Sequence, residues 1–112
     1  MLSPYVYPGL YINKVSLNFP NELYFKLSAA CEKALNLTLA EVFQNSRKRE
    51  YVQGRQMISN YLRMERGYYL TKIADIMGCH HSTVIHRLEL HEIDFSTNEI
   101  YQNQYKLLKE LI

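Results

Sequence analysis

From Asn21 onward the apolar residues return every three or four positions, the spacing of one face of an α-helix. Leu23, Leu27, Ala30, Cys31, Ala34 and Leu35 form one such stripe and predict a first core helix ending near Asn36. Thr38 and Glu41 make a capping-box pair, which opens a short second helix through Phe43. Residues 44–49, Gln-Asn-Ser-Arg-Lys-Arg, then break the periodicity with a basic connection. Val52, Met57, Ile58, Tyr61, Leu62 and Met64 predict a longer third helix from about Glu50 to Arg66, stopped by Gly67. Gly54 inside it costs about 1 kcal/mol relative to alanine, so close packing or the close approach of a ligand backbone is its expected reason.

The next stretch, Leu70–Leu88, organises the chain. Thr71 is placed to cap a short helix whose apolar side is Ile73, Ala74, Ile76 and Met77. Gly78 follows where a left-handed residue is cheap only for glycine. After His80, His81 and Ser82, the helical spacing resumes with Val84, Ile85 and Leu88. A small residue, a glycine and an apolar residue in that order form a helix-turn-helix pattern; an ordinary corner between two helices is the alternative. Ser96 and Glu99 offer a second capping box, and Ile100, Tyr101, Tyr105, Leu107, Leu108, Leu111 and Ile112 supply a C-terminal helix. The expectation is an all-α fold of about six helices over residues 21–112. Residues 1–20 differ: they hold all three prolines, interleaved with Tyr5, Tyr7 and Tyr11, and predict an extended arm with a short strand around Tyr11 to Leu17. Such an arm either lies along the helical body with its rings buried, or serves as a partner-binding or dimerising segment.

Composition narrows the function. With 112 residues, residues 1–20 and 21–112 amount to one domain with an arm. The net charge is only +2, but it is unevenly spread. Residues 46–66 carry six cations against two acids, whereas residues 89–112 carry five acids against two lysines. That asymmetry predicts one basic face turned to a polyanion and an acidic segment turned away; a merely solvated charged face is the plain alternative. Cys31 and Cys79 suit free thiols in a reducing compartment, and no apolar run approaches a membrane span or a signal peptide, so a cytoplasmic protein is expected. There is no glycine-rich phosphate loop, so the expectation is neither an enzyme nor a cofactor binder. His80, His81, His86 and His91 do not place imidazoles on one helix face at metal-ligand spacing, and no metal is expected.

Ser46-Arg-Lys-Arg49, Gly54-Arg-Gln-Met57, Tyr61-Leu62, Ile73-Ala-Asp-Ile-Met-Gly78 and His81-Ser-Thr-Val84 together resemble the C-terminal DNA-binding domain of DnaA, the bacterial replication initiator. That domain is a helical fold related to the Trp-repressor helix-turn-helix, and the resemblance covers about residues 23–112. It implies a bacterial or phage-encoded, nucleoid-associated protein acting in DNA replication or transcription regulation. It implies that Arg47 enters the minor groove, that Arg55 and Gln56 contact phosphate, and that His81, Ser82 and Thr83 read the major groove. Lys48 and Arg49 add phosphate contacts, and Lys72, His80, His86 and Arg87 complete the candidate DNA-binding set. Residues 80–83 also form the first turn of a helix, whose unpaired N–H groups and positive dipole end point one way. His81 or Ser82 could instead act only as an N-cap, and Arg55 and Gln56 could be solvated positions on the third helix.

Two departures stand out. Where the family usually holds Arg-Asp before the helix-starting histidine, this chain has Cys79 and His80. The cysteine removes a charge-assisted contact, and the histidine replaces an acceptor with a group that can donate, so a different DNA target is expected. The family's ATPase domain is also missing from this sequence. The expected partner is double-stranded DNA, bound by a monomer or weak dimer. The competing expectation is a protein-interaction adaptor or regulator that keeps the fold and works through the arm and the acidic C-terminal helix.

Overall fold

The computed structural model describes residues 19–112, and every regular element among them is helical. In chain order these are α1 (Asn21–Ala34), α2 (Leu39–Val42), α3 (Arg49–Met64), α4 (Leu70–Met77), α5 (His81–Thr97) and α6 (Glu99–Leu111). The short strand expected around Tyr11 to Leu17, and residues 1–18 of the arm expected over 1–20, lie outside the described residues. No helix among them is long and apolar enough to cross a membrane.

Local chemistry explains most of the boundaries. Helix α1 stops two residues earlier than its stripe suggests, because Asn36 takes a left-handed conformation (φ 58°) and the Leu37 N–H turns back to the Cys31 carbonyl at 3.4 Å. The capping box of α2 is formed in full: Thr38 Oγ1 accepts from the Glu41 N–H at 3.1 Å while Glu41 Oε1 accepts from the Thr38 N–H at 2.9 Å. At the end of α4, Gly78 (φ 66°) lets the Cys79 N–H reach the Ala74 carbonyl at 3.0 Å, the bond that closes a Schellman turn.

Three further expected helix limits shift. Thr71 does not cap α4; the helix already begins at Leu70, after Tyr69 in extended conformation. Helix α3 ends at Met64 rather than Arg66, and Met64 itself is exposed. Ser96 does not cap α6: α5 continues to Thr97, the Ser96 and Thr97 hydroxyls donate back to the Ile93 carbonyl, and Asn98 caps α6 by accepting from the Tyr101 N–H at 3.1 Å.

Helix α3 is the hub. It packs against α2, α4, α5 and α6, so residues all around it are buried, from Tyr51 and Gly54 to Ile58 and Leu62. Gly54 owes its place to packing: a Cβ there would lie 3.1 Å from Val42 Cγ1 and 3.3 Å from Cγ2, so α2 rests directly on the α3 backbone. The core joins Phe19, Leu23, Leu27 and Cys31 to Met57, Ile58 and Leu62, then to Ile73, Ile76 and Met77, to Val84, and to Tyr101, Tyr105 and Leu108. Burial pushes the Cys31 thiol up to about 12, so it stays protonated as a small core residue. Helices α4 and α5 pack against each other across the short turn at Gly78, with Ala74 and Val84 both buried, and α5 lies along α3.

Candidate nucleic-acid interface

The α4–α5 turn leads directly into the first turn of α5. The N-cap of α5 is His80, not His81 or Ser82: its Nδ1 accepts from the Ser82 N–H at 3.2 Å and stands 2.8 Å from Ser82 Oγ. With Nδ1 accepting, a neutral ring carries its proton on Nε2 and presents a donor outward. The His80 and His81 rings stand 4.3 Å apart at 33°, a loose stack at the helix start. His80, His81, Ser82 and His86 are exposed and Thr83 is half-buried. On the preceding helix, the exposed Lys72 carries its ammonium 4.3 Å above the Tyr68 ring.

The basic connection before α3 is held from inside. The half-buried Arg55 donates through Nε to the Val42 carbonyl at 2.7 Å, and through Nη2 to the Gln44 carbonyl and to the Ser46 carbonyl, the latter at 2.8 Å. One planar guanidinium therefore ties the end of α2 to two loop carbonyls. Ser46 Oγ accepts from the Lys48 N–H at 3.2 Å, and Lys48 Nζ stands 5.5 Å from the Tyr51 ring centre. Arg47, Lys48 and Arg49 are left exposed at the tip and at the start of α3.

A second guanidinium, that of Arg87, belongs to the α4–α5 turn. Arg87, half-buried on α5, donates through Nη1 to Cys79 Sγ at 3.7 Å. Burial lowers the pKa of both arginines, and the positive charge of Arg87 adds to that lowering at Arg55. Burial raises the Cys79 thiol, while the neighbouring Arg87 pulls it the other way. Among the described residues the ion pairs are Glu22–Lys26 and Glu65–Lys109, and neither involves this cluster.

Gln56 departs from its expected role. It is 2% exposed and points into the protein, where its Nε2 donates to Asp94 Oδ2 at 2.8 Å and faces Tyr101 Oη at 3.4 Å. A phosphate contact by that amide is sterically closed. It belongs instead to a polar layer where α3 meets α5 and α6. His91 Nδ1 lies 2.6 Å from Tyr101 Oη, and Asn60 Nδ2 donates to Tyr105 Oη at 2.8 Å. Burial drives the His91 pKa down to about 4, with Asp94 opposing and Lys109 adding to the shift, so the ring is neutral near pH 7. Arg55 is likewise an inward-directed clamp rather than a freely solvated side chain.

The sequence-derived candidates thus divide. Arg47, Lys48, Arg49, Lys72, His80, His81, Ser82, Thr83 and His86 retain surface access; Arg55 and Arg87 sit beneath them, and Gln56 leaves the group. Nothing in the linear pattern marked Asp94 and Tyr101 as the partners of Gln56, or His91 as the partner of Tyr101. Among the described residues no three His, Cys, Asp or Glu side chains are placed to share a metal ion. Comparisons with protein-family profiles, with curated proteins and with solved structures return no match to this chain.

Proposed function

We propose that this chain is a sequence-specific double-stranded DNA-binding module, of the kind its resemblance to the DnaA C-terminal domain implies. The start of α5 enters the major groove with His81, Ser82 and Thr83 at base edges and His80 and His86 beside them. Arg47 reaches the minor groove, and Lys48, Arg49 and Lys72 meet phosphates. The observation that carries this reading is the loop that holds Arg47, Lys48 and Arg49 exposed while Arg55 braces it from inside, with no carboxylate in ion-pair range of these cations among the described residues. A loop that presents three exposed cations on an internal guanidinium clamp is suited to a polyanion. The acidic residues of α5 and α6, Glu89, Glu92, Glu99 and Glu110, are remote in sequence from that loop and all exposed. Such a module acts in the cytoplasm, at the nucleoid of a bacterium or on phage DNA, in replication or in transcription control.

Selection from a randomised duplex library, followed by fluorescence anisotropy on the selected duplex, tests the reading. Enrichment of one short motif, with binding that weakens as salt rises, is the expected result. Affinity no better than for bulk DNA, or insensitive to salt, overturns it. A second reading has its own observation: Ile100 and Leu107 on α6 are 73% and 42% exposed, which suits a protein-interaction adaptor. Replacing Arg47 by alanine separates the two, because an adaptor working through α6 is indifferent to that change.

A further inference from the structure

Arg55 and Arg87 differ in how their donors are satisfied. Arg55 spends its Nε and Nη2 on three backbone carbonyls, which satisfies much of its hydrogen-bonding capacity. Arg87 is different. Of a guanidinium's five donors, its Nη1 reaches Cys79 Sγ at 3.7 Å, and among the described residues no oxygen acceptor lies within hydrogen-bond distance. Sulfur is a weak acceptor, so the charge is barely compensated. It is half-buried, and no acid is in ion-pair range among the described residues. A cation taken partly out of water without an anion carries a desolvation cost that an incoming anion would remove.

We infer that Arg87 is the centre of a phosphate-binding site at the α4–α5 turn, while Arg55 is a positioning residue that holds the shape of the basic loop. The inference rests on the DNA-binding reading for the source of the phosphate, the backbone of a duplex lying between α5 and the loop. The fork of a guanidinium suits two oxygens of one phosphodiester. Cys79 fits beside it: a thiol kept protonated by burial neither repels an incoming phosphate nor competes for the charge. The site also gives Arg87 a role that its inward direction otherwise leaves without explanation.

The test uses Arg87→Gln and Arg87→Lys in the full chain. The probes are a mixed-sequence duplex of about 20 base pairs and inorganic phosphate compared with chloride at equal ionic strength. Loss of one phosphate contact in Arg87→Gln lowers the slope of log K against log salt by about one and weakens duplex binding about tenfold at low salt; Arg87→Lys keeps the slope. Phosphate raises the melting temperature of the wild type but not of Arg87→Gln. That variant melts close to the wild type, because the one hydrogen bond it loses is the weak one to Cys79 Sγ. If the wild type ignores the duplex while the phosphate response still depends on Arg87, the anion site stands and the DNA reading fails. If Arg87→Gln keeps both the wild-type slope and the wild-type phosphate response, the site is overturned, and duplex binding by other residues remains intact.

Discussion

Acidification should destabilise this fold through one buried ring. His91 is 5% exposed, its Nδ1 is 2.6 Å from Tyr101 Oη, and its edge meets Tyr105 with centroids 4.5 Å apart. Tyr101 Oη faces Gln56 Nε2, which can only donate, so the phenol donates its single proton to His91 Nδ1. Protonating Nδ1 places two donors against each other with no acceptor between them. Burial, with Lys109 adding and Asp94 opposing, keeps the folded ring neutral down to about pH 4, whereas in the unfolded chain it titrates near 6.5. Between those values the unfolded state binds more protons, so stability rises with pH and is lost as the pH falls from about 6.5 toward 4. The loss relative to pH 7 is about 2 kcal/mol at pH 5 and approaches about 3 kcal/mol near pH 4.

Urea unfolding followed by circular dichroism measures this directly. His91→Asn puts an amide near the position of Nδ1, where its oxygen can accept from Tyr101, and removes the titration. The variant is less stable at pH 7 because it loses ring packing against Phe95 and Tyr105. Between pH 7 and pH 5, however, its stability should change by about 2 kcal/mol less than that of the wild type. Identical pH slopes for the two proteins refute the argument. The comparison isolates His91 because the other titrating groups are common to both chains.

Three further outcomes follow from named contacts. Gln56→Ala strips Asp94 and Tyr101 of a buried donor and should cost about 1–3 kcal/mol in urea unfolding, while leaving the salt slope of DNA binding unchanged; a lowered slope would restore a phosphate role to Gln56. Arg55→Gln frees the loop carbonyls, so its effect on DNA affinity should overlap with that of Arg47→Ala. In a double-mutant cycle the combined loss falls short of the sum by about 1 kcal/mol, and strict additivity contradicts the clamp. Gly54→Ala gains helix propensity of about 1 kcal/mol but crowds Val42 at 3.1 Å, giving a small net change; Gly54→Val should lose about 2 kcal/mol or more in the same unfolding assay.

Local signals were legible wherever neighbours along the chain make the decision. Thr38 with Glu41, and Gly78 after Met77, need only their own turn, and both do what their chemistry requires. Ser96 with Glu99 carries the same signature as Thr38 with Glu41, yet it fails. Asn98 lies between them with a better-placed acceptor, and the Ser96 and Thr97 hydroxyls can bond back within α5. Burial on α3 was less legible for a different reason. A helix on the outside of a bundle shows one apolar stripe, but α3 is enclosed by four neighbours, so polar residues such as Gln56 and Ser59 must be buried as well. Their partners, Asp94, Tyr101 and Met77, are distant in sequence and belong to other helices.

The turn at Gly78 shows how such a tertiary contact can alter a reading made on single positions. Cys79 alone is a lost cation where the DnaA resemblance expects one, and position by position that subtracts a phosphate contact. In the folded chain the guanidinium of Arg87, two turns further along α5, comes to 3.7 Å from the Cys79 sulfur. A positive charge therefore stands at the turn although residue 79 does not carry it. The exchange is not neutral. A charge at position 79 would extend from the turn, whereas Arg87 approaches from beneath, half-buried and beside Arg55. An uncompensated cation held that way is more poorly solvated before an anion arrives, and therefore gains more when one does. His80, meanwhile, commits Nδ1 to capping α5, which leaves Nε2–H as its outward group. The turn consequently offers a donor and a recessed cation in place of an exposed cation and a carboxylate. If the chain binds DNA as proposed, that change would favour a base edge with acceptors, such as the N7 and O6 of guanine, over the cytosine amino group that a carboxylate would select.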